Sequence, residues 1–352
     1  MADEHSRMYG LEYPSPELPS GEEQSITLVV ALEGYADAGQ AVAGAARHLL
    51  AALDNRLVAS FNLDELIDYR SRRPTTTLDR SSVTDVEDIS LELHVLRDTK
   101  GTPFLLLTGP EPDLKWNSFI DAVAGLAEKF HVTQTVCLYA APMTVPHTRP
   151  LVVTAHGNSA ELVGDAVRFP GQIAVPGAAA LQLERHLGRK GKKVAGFTAH
   201  VPHYVAASPY PEAMRKLLER VAQAGQLELP LLALSKDEQR VAEQLAEQTA
   251  DSLEIQQVVG ALERQYDEEV AKYRQMGALP ESGSAEQIPS SEEIGDEFER
   301  FLAALDEGRG GKSEDGKGGE AGPGEPDGGQ NEGDGNPEDS GDADGGDDDD
   351  QR

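Results

Sequence analysis

One cysteine in 352 residues, 31 basic side chains against 62 acidic ones, and no apolar run approaching the ~20 residues of a bilayer span set the first limits on this chain. With a single cysteine, no disulfide can close within the chain and no zinc-thiolate cluster can assemble. Cys137 sits in TQTVCLYAA, whose neighbours predict a buried strand, so it reads as a small core hydrophobe. The formal net charge of -31 argues against a phosphate-backbone partner, and nucleic acid is not an expected ligand. The opening MADEHSRMYG has neither the basic leader nor the apolar core of a targeting segment. The expectation is a cytoplasmic protein with no membrane partner.

Chemical signatures are also missing. The Glu33–Gly39 turn has neither a GxGxxG fingerprint nor a P-loop Gly-Lys-Ser/Thr, so a nucleotide is not indicated there, and none of the hydroxyls of Ser159, Ser208 and Thr148 sits in a GxSxG elbow. No pair of acids stands at a recognisable catalytic spacing, and no cofactor is expected. From Asp306 to Arg352 there is no aliphatic side chain larger than alanine, and 17 acidic residues face 4 basic ones among 15 glycines. Such a segment cannot bury enough apolar surface to offset its ordering entropy, which predicts a disordered acidic tail over 306–352. Its net -13 leaves -18 on residues 1–305.

What is present is an alternation. ITLVVAL at 26–32 is a near-continuous β-branched run, the pattern of a strand buried on both faces. An alanine-rich helix follows, with Asp37 placed as N-cap and Gln40 as its capping-box partner. Strands are predicted at 58–63, 103–109, 132–140, 151–157 and 194–201, and helices at 118–130 and 176–187. This order predicts a three-layer α/β/α core with a mostly parallel sheet over 25–210, preceded by an irregular, proline-rich lead-in at 1–24. Residues 64–100 read as a hairpin-like insertion on the sheet edge. From Pro211 to 305 the pattern is helical only. Leu253, Val259, Leu262, Tyr266, Val270 and Tyr273 form one amphipathic stripe, and a second follows at 294–305.

Polar residues collect at the predicted strand ends, where open α/β sheets place ligand crevices. Gly34, Asp37, Ala38 and Gly39 form a turn whose helix start favours an anion. Arg70 and Arg73 belong to the one dense basic cluster, where arginine forks suit a carboxylate or phosphate as readily as internal salt bridges. Trp116 lines a pocket or staples its helix. Prolines at 142, 146 and 150 present His147, Thr148 and Arg149 on an extended loop. His200 and His203 make an H-x-x-H with Tyr204 beside it, but the spacing follows a strand and Pro202 stiffens it, so no metal is expected.

Taken in order, ALEGYADAGQA, FNLDELIDYRSRRP, LTGPEPDLKWNSF, APMTVPHTRP and AHVPHYVAASPYPEAMRKLLE resemble the proteasome assembly chaperone two family in its actinobacterial form, over about residues 25–275. The resemblance implies a core similar to purine nucleoside phosphorylases and peptidyl-tRNA hydrolases, with a helical portion beside the crevice. It also implies a non-catalytic binding or assembly protein, with a protein partner or its own subunits, a homotrimer among the options. Its motif positions fall on Gly34, Asp37, Ala38, Gly39, Arg70, Arg73, Pro74, Trp116, Pro142, Pro146, His147, Thr148, Arg149, Pro150, His200, Pro202, His203 and Tyr204. If they converge, Arg73 and Arg149 hold a small anionic ligand in a crevice floored by Asp37. The alternative is a hydrolase- or phosphorylase-like enzyme acting on such an anion.

Overall fold

The structure is a computed structural model that describes residues 8–14, 25–168 and 171–275. Its centre is an eight-stranded sheet built from β1 (Tyr9–Leu11), β2 (Ile26–Glu33), β3 (Asp54–Phe61), β6 (Glu92–Arg97), β7 (Pro103–Pro110), β8 (Val132–Met143), β9 (Val153–Gly157) and β10 (Lys193–Pro202). They lie in the order β1-β3-β6-β7-β2-β8-β10-β9. The four in the middle, β7, β2, β8 and β10, run parallel. Antiparallel strands flank them on both sides, and β3, two reversals away from β7, shares their direction.

Both faces of the central strands are apolar because both are covered. On β2, Val29 and Ala31 enter one core cluster while Leu28, Val30 and Leu32 enter the other. On β7, Phe104 and Leu106 alternate with Leu105 and Leu107 in the same way. This two-sided burial is why these strands read as continuous hydrophobic runs. Helices α1 (Ala41–Ala52) and α6 (Pro211–Gly225) cover the first face, and α3 (Trp116–Lys129) and α5 (Ala179–Arg189) the second. One-turn helices α2 (Leu63–Leu66) and α4 (Ala160–Val163) complete the core, and Cys137 is fully buried in it.

The segment 64–100 divides in two, unlike the single insertion expected. β4 (Thr76–Asp79) and β5 (Ser82–Val86) form a separate, wholly exposed hairpin, whereas β6 lies inside the main sheet between β3 and β7. The lead-in contributes an edge strand, with Tyr9 opposite Phe61. After α6 come α7 (Leu232–Ala250) and α8 (Leu253–Gln275), and α6 itself belongs to the core layer. Val259, Leu262, Tyr266 and Val270 of the α8 stripe are buried, and Tyr266 and Val270 pack on Met143, Val145 and Val152. The predicted stripe at 294–305 and the acidic tail lie outside the described residues. Among the described residues, no helix is long and apolar enough to cross a membrane, and no group of three or more His, Cys, Asp or Glu side chains is set to hold a metal ion.

Candidate functional site

Beyond β2 the chain ties itself to two neighbouring strand ends. The Ala36 carbonyl accepts the Ala140 amide at 2.7 Å, and a short 3-10 turn, Ala38–Gln40, leads into α1. Gly39, at φ 67°, occupies the left-handed region that glycine tolerates best. Its amide donates to the Ala206 carbonyl at 2.7 Å and its carbonyl accepts the Tyr210 amide at 2.8 Å. A Cβ there would stand 2.8 Å from that of Tyr210. Asp37 Oδ1 accepts the Val42 amide at 2.6 Å and Oδ2 the Ala43 amide at 3.3 Å. The helix start expected to attract an anion is therefore occupied by the chain's own carboxylate. Gln40, at φ 48°, is itself left-handed and makes no side-chain capping bond, so the expected capping box is absent. Burial raises the Asp37 carboxyl to about 6, outweighing the two amide bonds that stabilise its charge.

A second cluster joins the ends of β2 and β7 to the start of α5. Arg72, not Arg70 or Arg73, turns inward: its Nε lies 3.3 Å from Asp113 Oδ1 and its Nη1 donates to the Glu33 carbonyl at 3.4 Å. Arg70 is exposed and forks onto Asp68 of its own turn at 3.1 Å, and Arg73 is exposed. Glu111 crosses to accept the first amide of α5, Ala179, at 2.5 Å, and it packs against exposed Gly34. Burial raises the Glu111 carboxyl too. Trp116 Nε1 donates to the Pro112 carbonyl at 2.5 Å, stapling the first turn of α3. Arg72, Glu111 and Asp113 lie in the charged segments RSRR and PEPD, but the sequence does not single them out as candidates.

The third cluster gathers His147, Thr148, Arg149, His203 and Tyr204 beneath α8. The Tyr204 hydroxyl accepts the His147 amide at 2.8 Å and stands 2.7 Å from His147 Nδ1. The rings of His147 and His203 both meet Tyr204 edge-on. Burial lowers the His147 imidazole and raises the Tyr204 phenol to about 12. Arg149 forks onto Asp267 at 2.8 and 2.7 Å and reaches Glu263 at 3.1 Å, while Thr148 donates to Glu263 at 2.5 Å. Tyr266 closes the clasp by donating to the Pro150 carbonyl at 3.0 Å. Arg149 is thus satisfied by two carboxylates of α8, and no hydrogen bond or ion pair among the described residues brings Arg73 to it. His200 is fully buried, 3.3 Å from Thr154 Oγ1, and loss of hydration pushes its imidazole down to about 4. Between His200, Tyr210, Tyr266 and the 145–152 loop remains a cavity of about 10 Å3, scarcely the volume of one water.

Comparison with known proteins agrees with this architecture. No curated protein matches the chain. Among solved structures, a protein of unknown function from Corynebacterium glutamicum is 58% identical, covering 76% of this chain and 100% of its own, with a TM-score of 0.73. A Mycobacterium tuberculosis protein of unknown function is 50% identical over 77% of this chain and 92% of its own, with a TM-score of 0.74. Another M. tuberculosis structure, described as a proteasome-assembly chaperone homologue, is 26% identical over 66% of this chain and 100% of its own, with a TM-score of 0.60. The model of the PAC2 family matches residues 31–249, more than half of the chain and almost the whole α/β core with α6 and α7, and the protein belongs to the PAC2 family.

Proposed function

We propose that this protein is a non-catalytic binding factor of the proteasome-assembly-chaperone type, acting on protein partners. The observation that carries this reading is the closure of the strand ends. His147, Thr148, Arg149 and Asp37, the residues best suited to acid-base or anion chemistry, are engaged by Tyr204, Glu263, Asp267 and the α1 amides, and the space beside His200 is about 10 Å3. The 26% identical relative described as a proteasome-assembly chaperone homologue supports the same direction.

Surfaces of the right kind for protein partners lie elsewhere. Leu253, Ile255 and Val258 at the start of α8 are exposed, as are Leu78, Val83 and Val86 on the β4–β5 hairpin. An isolated two-stranded hairpin is marginal in water, so covering it by a partner or a second copy would stabilise it. The test mixes the full chain with purified proteasome α- and β-subunits from an actinobacterium and reads complexes by native mass spectrometry. A defined complex, weakened by Leu253→Asp with Val258→Asp, is expected. Absence of any complex, or turnover of an ester, peptide or nucleoside that His147→Ala abolishes in a folded protein, overturns the reading.

A further inference from the structure

The opposite end of the sheet carries an opening that the strand-end clusters do not use. It lies at the β9 edge, beside the first residues of β10, and α5 forms its wall. Leu181, Glu184, Arg185, Gly188 and Arg189 line it from α5, an i, i+3, i+4, i+7, i+8 set that shares one helical face. Its volume is about 410 Å3, within the range of small-molecule clefts.

Its inner wall is a built polar network. His156 on β9, Gly196 on β10 and Cys137 on β8 stand in register across three strands. A Cβ at Gly196 would stand 2.5 Å from His156 Nε2 and 2.7 Å from Glu184 Oε1, so the missing side chain makes room for this pair. Glu184, nine-tenths or more buried, accepts the hydroxyl of buried Tyr139 on Oε1 at 2.6 Å and holds His156 Nε2 at 3.0 Å on Oε2. Both oxygens of its carboxylate have a polar neighbour, the Tyr139 hydroxyl on one and the His156 ring on the other. Burial opposes protonation of His156, but the Glu184 carboxylate 3.0 Å away outweighs it and raises the imidazole.

The rim is cationic in a chain of net charge -31. Arg185 and Arg189 are exposed, and among the described residues neither has an ion-pair or hydrogen-bond partner. Beside them Leu181, Val194 and Gly188 give the opening an apolar side. An added β-strand is the less suitable occupant, because the outer edge of β9 is already taken at Ala155, whose amide donates to the Val167 carbonyl at 2.7 Å.

We propose that this opening binds a small organic anion, with Arg185 and Arg189 holding the charged group and His156, anchored by Glu184, contacting it from the inner wall. The apolar side receives the body of the molecule, and the two guanidinium groups select for carboxylate or phosphate. The test titrates the full chain with phenyl phosphate, benzoate and neutral benzyl alcohol and follows backbone amide resonances. At least one anion should shift residues 156–158 and 184–189, with benzyl alcohol at least tenfold weaker. Response to phenyl phosphate alone identifies a phosphate ligand, and response to benzoate alone a carboxylate. Arg185→Ala with Arg189→Ala, both exposed positions, should weaken the bound anion at least tenfold, and His156→Gln should weaken it to a smaller extent. No binding of either anion, shifts centred elsewhere, or equal affinity in the double arginine variant overturns the assignment.

Discussion

Replacing Asp37 by asparagine should make the protein lose stability on acidification from pH 6.5 to pH 4, a range over which two opposed groups keep the parent chain more nearly level. His200 is held neutral in the fold at about 4 against 6.5 in an open chain. Across that window the unfolded chain binds a proton that the folded one refuses, so this contribution to stability is present above 6.5 and lost as pH falls through 4. At about 1.4 kcal/mol per pH unit, the span amounts to about 3 kcal/mol. Asp37 works the other way, at about 6 in the fold against 3.8 when free. Its contribution is fully present below 3.8 and lost as pH rises through 6, again about 3 kcal/mol by the same conversion. The asparagine side chain keeps one oxygen for the Val42 amide and does not titrate. Glu111, Glu212 and His156 are also raised and His147 lowered, but they are common to both proteins and cancel in the difference. Urea unfolding at half-unit steps from pH 4 to pH 7 gives that difference directly. Asp37→Asn minus parent should fall by about 2 kcal/mol on going from pH 6 to pH 4, since that interval spans only part of the titration, and His200→Gln should give the mirror image. A level difference curve for Asp37→Asn would refute the placement of a buried, titrating carboxyl at this turn.

Gly39→Ala should destabilise by about 2 kcal/mol or more in the same assay, since the left-handed backbone alone costs about 1–2 kcal/mol and the new Cβ meets Tyr210. Arg149→Met should cost only about 1 kcal/mol globally, because the clamp is partly solvent-exposed, yet hydrogen exchange along α8 should quicken selectively. Cys137, buried and with its thiol pushed up by loss of hydration, should stay unreactive toward a disulfide reagent in the native protein and react fully in denaturant.

Legibility in the sequence followed the range of the interactions involved. Strands β2, β7 and β8 declared themselves because burial on both faces favours unbroken apolar runs, LVVAL, FLLL and VCLYAA, and that constraint is local. β6 did not. ISLELHVL alternates like an exposed hairpin, with His94 and Asp98 inviting a surface reading, yet both are buried, and Asp98 accepts the amides of Lys100, Thr102 and distant Glu228. Its place between β3 and β7 is set by sheet order, which no local pattern encodes. The candidate residues fared similarly. His147 and Tyr204 were both marked, but their hydrogen bond joins positions 57 apart, and the Arg149 partners lie 114 and 118 residues away on a helix legible only as an apolar stripe. RSRR announced basic charge without saying that Arg72 is the member facing Asp113.

The position of α8 also bears on why this α/β core reads as a binding protein. Parallel sheets leave their crevice at the carboxyl ends of the strands, and here that region is closed by a helix whose apolar stripe meets Val145 and Val152 while its acids neutralise Arg149. Under the proposed function, a helix seated there takes the place of a small substrate and brings a new surface to the same end of the fold. Its first turns show Leu253, Ile255 and Val258 to solvent, with Ile255 and Val258 three residues apart on one face. Exposed apolar surface of that size disfavours the isolated state by about 25 cal/mol per Å2, which association with a protein partner would recover. If α8 instead lifted to admit substrate, the Arg149 clamp would be the gate. Arg149→Met would then raise turnover, whereas a docking role requires that it weaken partner binding, and these opposite outcomes separate the two uses of one helix.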